Sequence, residues 1–188
     1  MKMGDIIRFL DMISELKLTE RTGWAQRGVP GVRETIGAHS FGAALLVWLL
    51  AAENGVDTEK AIKMTLVHDL LEAFTGDLTP KDVSLEEKHR RERAALPSLA
   101  KALPKEIGQE VMDLVQEYLA AQSQEVRLVE EADKLDTALQ AGSYEVTARA
   151  ANIEIDLSEF FDKARVVCRD VFSKKILRIA ESRRRSHC

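Results

Sequence analysis

The sequence predicts an all-α fold: a single helical bundle of about six to eight helices spanning residues 1–188. Apolar residues recur at three- and four-residue spacing along most of the chain, which is the signature of amphipathic helices. No stretch alternates convincingly with period two, and no internal repeat or low-complexity segment interrupts the pattern. The length of 188 residues suits one domain with a sizeable core.

The elements follow in order. Ile6, Ile7, Leu10, Ile13 and Leu16 mark a first amphipathic helix. The stretch "TERTGWAQRGVPGVRETIG" has glycines at 23, 28, 31 and 37 and Pro30, so it reads as a long loop, and long loops are often functional. A second helix begins near Glu34 to Ala38 and ends at Asn54, with Gly55 as its terminator. Asp57 or Thr58 caps a third, running through about Thr75 to Gly76. "DLTPKD" is a turn and "LEEKHRRERAAL" a charged helix. Pro97 and Pro104 bracket a break. Ile107 to Tyr118 mark a helix to about Ala121, and Val126 to Leu139 another that begins near Gln124. The last helix runs from Leu157 to Ile179 and dissolves into "SRRRSHC", with 184–188 expected to be a disordered tail.

Composition narrows the function classes. A net charge of −4 gives no bulk attraction to a nucleic-acid polymer. The mixed signs of "EEKHRRERAA" point to a solvated helix face laced by i,i+4 pairs. Two unpaired cysteines, Cys168 and Cys188, suggest reduced thiols and an intracellular, cytoplasmic protein. The N-terminal residues form an amphipathic helix rather than a signal peptide. The longest apolar run, Ala43 to Ala52, is short for a bilayer, so no membrane partner is expected. Trp48, amid "LLVWLLAA", is expected in the core.

Chemistry concentrates in few residues. His39 opens an apolar helix, His68 and Asp69 are expected deep in the next, and Asp133 lies in a third. Neutral imidazole and carboxylate are both good ligands for divalent transition metals. Two histidines and two aspartates from three rigid helices can converge on one ion and leave positions open for water and substrate. A lone histidine on an apolar helix is more often a satisfied core residue, so residue types alone leave both readings open.

The order His39, His68-Asp69, Asp133 resembles the signature of the HD-domain metal-dependent phosphohydrolases. "GWAQRGV", "AHSFGAALL", "LVHDLLEAFTGDLTP" and "EADKLDTALQA" are similar to segments of its 5′-deoxynucleotidase branch, over Gly23 to Ala141. The resemblance implies an all-helical HD domain and hydrolysis of deoxyribonucleoside 5′-monophosphates to deoxynucleoside and phosphate. It implies one divalent ion (cobalt, manganese or another transition metal) and a homodimer. His39, His68, Asp69 and Asp133 correspond to metal ligands, Glu72 and Asp77 to active-site acids, Trp24 to a tryptophan near the sugar, and Arg21 or Arg27 to a phosphate-contacting arginine. Ala38 stands where the family often has an acid.

On that resemblance, Glu72 is expected to orient or deprotonate the attacking water. Asp77 is expected to protonate the leaving 5′-oxygen or hold the 3′-hydroxyl; turn chemistry is its structural alternative. Trp24 either excludes a 2′-hydroxyl or plugs the core. Other HD-type nucleotide substrates and a non-catalytic metal-binding module are the competing functions. The spare histidines, His89 and His187, argue against a two-metal phosphodiesterase.

Overall fold

The computed structural model describes residues 3–185. His187 and Cys188 lie outside them, as do residues 1, 2 and 186. Among the described residues there are ten helices: α1 (Met3–Leu18), α2 (Thr22–Ala25), α3 (Ile36–Asn54), α4 (Thr58–Val67), α5 (Glu72–Thr75), α6 (Leu85–Ala102), α7 (Lys105–Ala120), α8 (Gln124–Ala150), α9 (Ser158–Val167) and α10 (Val171–Arg185). Two of them, α2 and α5, are single turns of four residues. The only bridge described is an isolated one between Glu20 and Thr35, which closes the base of the long loop.

The centre is α3 packed on α8 and α4. Thr35 caps α3 by accepting the Ala38 N–H, and Gly55 ends it in the left-handed region at φ 67°. Its inner face buries His39, Ala43, Val47 and Leu50. Against it lie Ala132, Leu135 and Ala138 of α8 and Ala61 and Met64 of α4, within one apolar cluster. A second cluster joins Met12 and Leu16 of α1 to Leu99 and Ala102 of α6 and Val115 of α7.

Several expectations change. Trp48 is 61% exposed, with Phe41, Leu45 and Leu49 on the same outward side of α3. A helix buries only the face its period turns inward, and 48 falls opposite 43, 47 and 50. By length and composition alone α3 is long and apolar enough to cross a bilayer, so the apolar segment is longer than Ala43 to Ala52; here its inner face is packed by other helices. Pro97 breaks nothing. It sits inside α6, whose last turns are held by burial of Leu99 and Ala102. The expected final helix is two. Asp170 accepts the Phe172 and Ser173 N–H groups to start α10, and Glu131 accepts the Arg169 N–H at the break. Residues 184 and 185 are helical rather than a tail.

The third predicted helix is also interrupted. Asp57 caps α4 as expected, but α4 stops at Val67. From there the backbone tightens to i→i−3 bonds: Leu70 to Val67, Glu72 to Asp69, Ala73 to Leu70 and Phe74 to Leu71. His68 and Asp69 therefore sit in a tight turn between α4 and α5, a geometry found where a helix is bent to a task.

Candidate metal centre and cleft

Two helices and the turn between α4 and α5 bring four side chains together. His39 comes from the first turn of α3, His68 and Asp69 from the turn after α4, and Asp133 from the middle of α8. His39 Nε2 lies 3.2 Å from Asp133 Oδ1 and 4.0 Å from Asp69 Oδ2. His68 Nε2 lies 3.1 Å from Asp69 Oδ2. One ligand atom each from His39, His68 and Asp69 falls within 4.8 Å of the others.

The outer nitrogens fix which lone pairs face inward. His68 Nδ1 is 2.6 Å from the Thr65 carbonyl, which can only accept, so Nδ1 carries the hydrogen and Nε2 the lone pair. His39 Nδ1 is 2.8 Å from the Asp136 carboxylate, with the same consequence. Asp136 thus supplies the orienting carboxylate that Ala38 does not. Gly42 makes room for it: a Cβ there would sit 2.3 Å from Asp136 Oδ1.

The inner atoms are then in conflict. His39 Nε2, His68 Nε2 and Asp133 Oδ1 are buried without a hydrogen-bond partner. Lone pairs crowded at 3.2 Å require a cation between them, either a proton or a metal ion. Electrostatics agree. Burial and the Arg21 charge weaken proton binding at His39, but the Asp133 and Asp136 carboxylates beside its two ring nitrogens outweigh them and raise its pKa to about 9. Burial would raise the Asp69 and Asp133 carboxyls. The adjacent His68 imidazole overrides it for Asp69, and Lys134 and His39 for Asp133, and both are held well below the usual carboxylate range. The donor set, two imidazoles and two carboxylates with uncommitted atoms, fits a divalent ion.

The cluster opens on a cleft of about 550 Å³. Glu72 lines it and is 8% exposed; burial and then the Asp69 charge push its carboxyl well above the usual range. Asp77 also lines it, while its Oδ2 accepts the Thr22 N–H at 2.6 Å and so tethers α2. Tyr118 of α7 stands edge-on to His68, ring centres 5.6 Å apart.

The expected substrate contacts are more committed than their residue types suggest. Arg21 donates to Thr137 Oγ1 at 3.1 Å and lies 3.6 Å from Glu34 and 3.9 Å from Asp133. Arg27 pairs with Glu159, donates to the Gly23 carbonyl and lies over Phe160. Arg33 binds Glu20 and does not line the cleft. Trp24 borders the cleft but is 1% exposed. Its N–H donates to Glu34, and Tyr144 and Phe160 pack against its ring.

Three contributors escaped the sequence reading. Lys88, His89 and Glu92, assigned to a solvated face, line the cleft. The available signal was the helical series 88, 92, 95, 99, which ends on the fully buried Leu99. Glu87, Arg90 and Arg91 do form the expected exterior pairs on the other face.

The comparisons with known proteins converge on one group. The family model described as "HD domain" matches residues 13–175. A 5′-deoxynucleotidase of Dictyostelium discoideum is 36% identical over 171 residues, 87% of this chain and 90% of its own. One from Schizosaccharomyces pombe is 37% identical over 85% of this chain and 80% of its own. The crystal structure of a Pyrococcus horikoshii protein superposes with a TM-score of 0.73 at 32% identity, covering 95% of this chain and 98% of that one.

Proposed function

The chain belongs to the HD-domain family, and on that premise we propose that it hydrolyses deoxyribonucleoside 5′-monophosphates to deoxynucleoside and phosphate with one divalent ion. The observation that carries the reading is the group of uncommitted, buried ligand atoms on His39, His68 and Asp133, beside Asp69, at the floor of a cleft. A buried cluster built only for stability would have satisfied them.

In this reading His39, His68, Asp69 and Asp133 hold the ion, which when bound supplies Lewis acidity toward a phosphoryl oxygen and acidifies water. Glu72 receives the proton of the attacking water. A carboxyl raised by burial and by Asp69 is a stronger base than an exposed one. Asp77 keeps Oδ1 for the sugar or the departing 5′-oxygen, since Oδ2 serves Thr22. Arg21, held against Asp133, stabilises that carboxylate and reaches the cleft as a fixed positive charge. Trp24 acts on sugar choice through the wall it supports rather than by an open ring face. The homodimer that the family resemblance implies belongs to the same reading, and sedimentation of the purified protein checks it.

The test is phosphate release by EDTA-stripped protein offered deoxy- and ribonucleoside monophosphates, with cobalt, manganese or magnesium restored. Release from deoxynucleotides that depends on the added ion is expected. Glu72→Gln should lose roughly 10²–10⁴-fold in turnover and keep the ion. No release from any monophosphate would overturn the function, and loss of the ion in Glu72→Gln would overturn the role of Glu72.

A further inference from the structure

The cleft mixes charges: six carboxylates, Asp69, Glu72, Asp77, Glu92, Glu130 and Asp133, and five cations, Arg21, Arg27, Lys88, Lys134 and Lys163, line it. A phosphomonoester is held by cations that face it with donors to spare, and the lining cations differ in this respect. Arg27 is committed to Glu159 and the Gly23 carbonyl, and Arg21, bonded to Thr137 at 3.1 Å with Glu34 and Asp133 beside it, is more enclosed than Lys88, with 18% of its side chain exposed against 30%. Lys134 is bound to Asp133 at 2.6 Å. Lys163 pairs with Glu159 and lies near the Phe160 ring.

Lys88 is different. Its Nζ has three donors, and its contacts are long: 3.4 Å to Glu72 and 3.7 Å to Glu92. A charge-assisted N–H···O bond made in earnest is about 2.7–2.9 Å. The ammonium is therefore held near the reaction centre without being used up there. We propose that Lys88 of α6 is the phosphate-binding cation of the cleft, turning from Glu72 and Glu92 to the non-bridging oxygens of the substrate. The proposal rests on the phosphomonoester reading of the site.

Two further facts fit. Burial lowers the proton affinity of Lys88, but the charges of Glu72 and Asp69 outweigh it, so the group stays cationic in the empty cleft. Glu92 sits one turn along the same helix and holds the amine on the cleft side of α6. When a phosphate draws Lys88 away, Glu72 loses its counter-charge and becomes the better base, so binding and activation are linked through one side chain.

The experiment is a titration of manganese-loaded protein with inorganic phosphate, read calorimetrically, beside steady-state kinetics on a deoxynucleoside monophosphate. Lys88→Met should weaken phosphate binding by roughly tenfold or more and raise KM, with manganese affinity unchanged. Lys88→Arg should recover part of the phosphate binding. If Lys88→Met melts early, Lys88→Gln takes its place. Unchanged phosphate affinity overturns the proposal. So does a fall in kcat with KM and phosphate affinity intact, because that is the mark of a residue acting only on Glu72. Should the wild-type protein turn over no nucleotide, the functional reading fails, yet the phosphate titration still decides the role of Lys88.

Discussion

The wall of the cleft built by α3, α4 and α8 and the wall built by α6 handle charge in different ways. On the first, each polar atom has a fixed place. His39 is fully buried, its Nδ1 is locked to Asp136, and Gly42 is small because Asp136 lies against it. Packed Ala43, Val47, Ala132 and Leu135 determine where these atoms sit. On the second, the charged groups are long, partly exposed and loosely paired, as Lys88 is to Glu72. Rigid burial suits a site that must hold an ion in one geometry. A flexible amine suits a site that must follow a phosphate through a reaction.

Substitutions can break that contrast. The largest effect is expected for Asp69→Ala or Asp133→Ala. Each removes a carboxylate that the proposed function gives to the ion, so turnover should fall by roughly a hundredfold or more with loss of bound metal. Metal content by mass spectrometry alongside a phosphate-release assay checks it; full activity would refute the single-ion cluster.

Gly42→Ala sharpens it. The new methyl must displace the Asp136 carboxylate and so free the His39 ring, with no ligand touched. Metal affinity should drop by roughly 10–100-fold while the circular dichroism spectrum is kept. An unchanged affinity would show that Asp136 does not orient His39.

Next in size is a pH effect confined to the first wall. The folded pKa of His39 is raised to about 9, against about 6.5 unfolded. Its contribution to stability in the metal-free protein is therefore complete below about pH 6.5 and is lost as pH rises through 9. The depressed Asp69 and Asp133 act only in acid, where falling pH removes their contribution. Thermal melts of the EDTA-treated protein should drop by a few degrees between pH 6.5 and 9. A saturating divalent ion should flatten that slope, because it takes the place of the proton. A flat metal-free profile would contradict the crowded lone pairs.

The smallest effect belongs to the outer face of α6. Arg90→Ala and Arg91→Ala remove only exterior pairs to Glu87. The midpoint of denaturant melts should barely move, and kinetics should not change.

The two walls were also unequally legible in the sequence. His39, His68, Asp69 and Asp133 could be picked out because ionisable residues are rare on apolar helices, and their order resembled a known family. Asp136 and Gly42 carried no such mark, since their value lies in a contact between α3 and α8 that no local pattern records. Lys88 and Glu92 were hidden for the opposite reason: in a helix charged almost all round, the inward stripe is read only by following it to Leu99. Trp48 reverses its expectation, whereas Trp24 takes the core-plugging one of its two readings. The loop tryptophan is buried by Tyr144 and Phe160, and the mid-helix one faces outward because 19 apolar-rich residues present two sides and the bundle covers only one.

The most direct test of the central claim is metal stoichiometry. The stripped wild-type protein and its His68→Ala variant should be titrated with manganese or cobalt while bound ion and phosphate release are followed together. One ion per chain in the wild type, with activity rising in step, and no tight binding in the variant is the expected result. Equal binding by both, or activity that is complete before any ion binds, would contradict it.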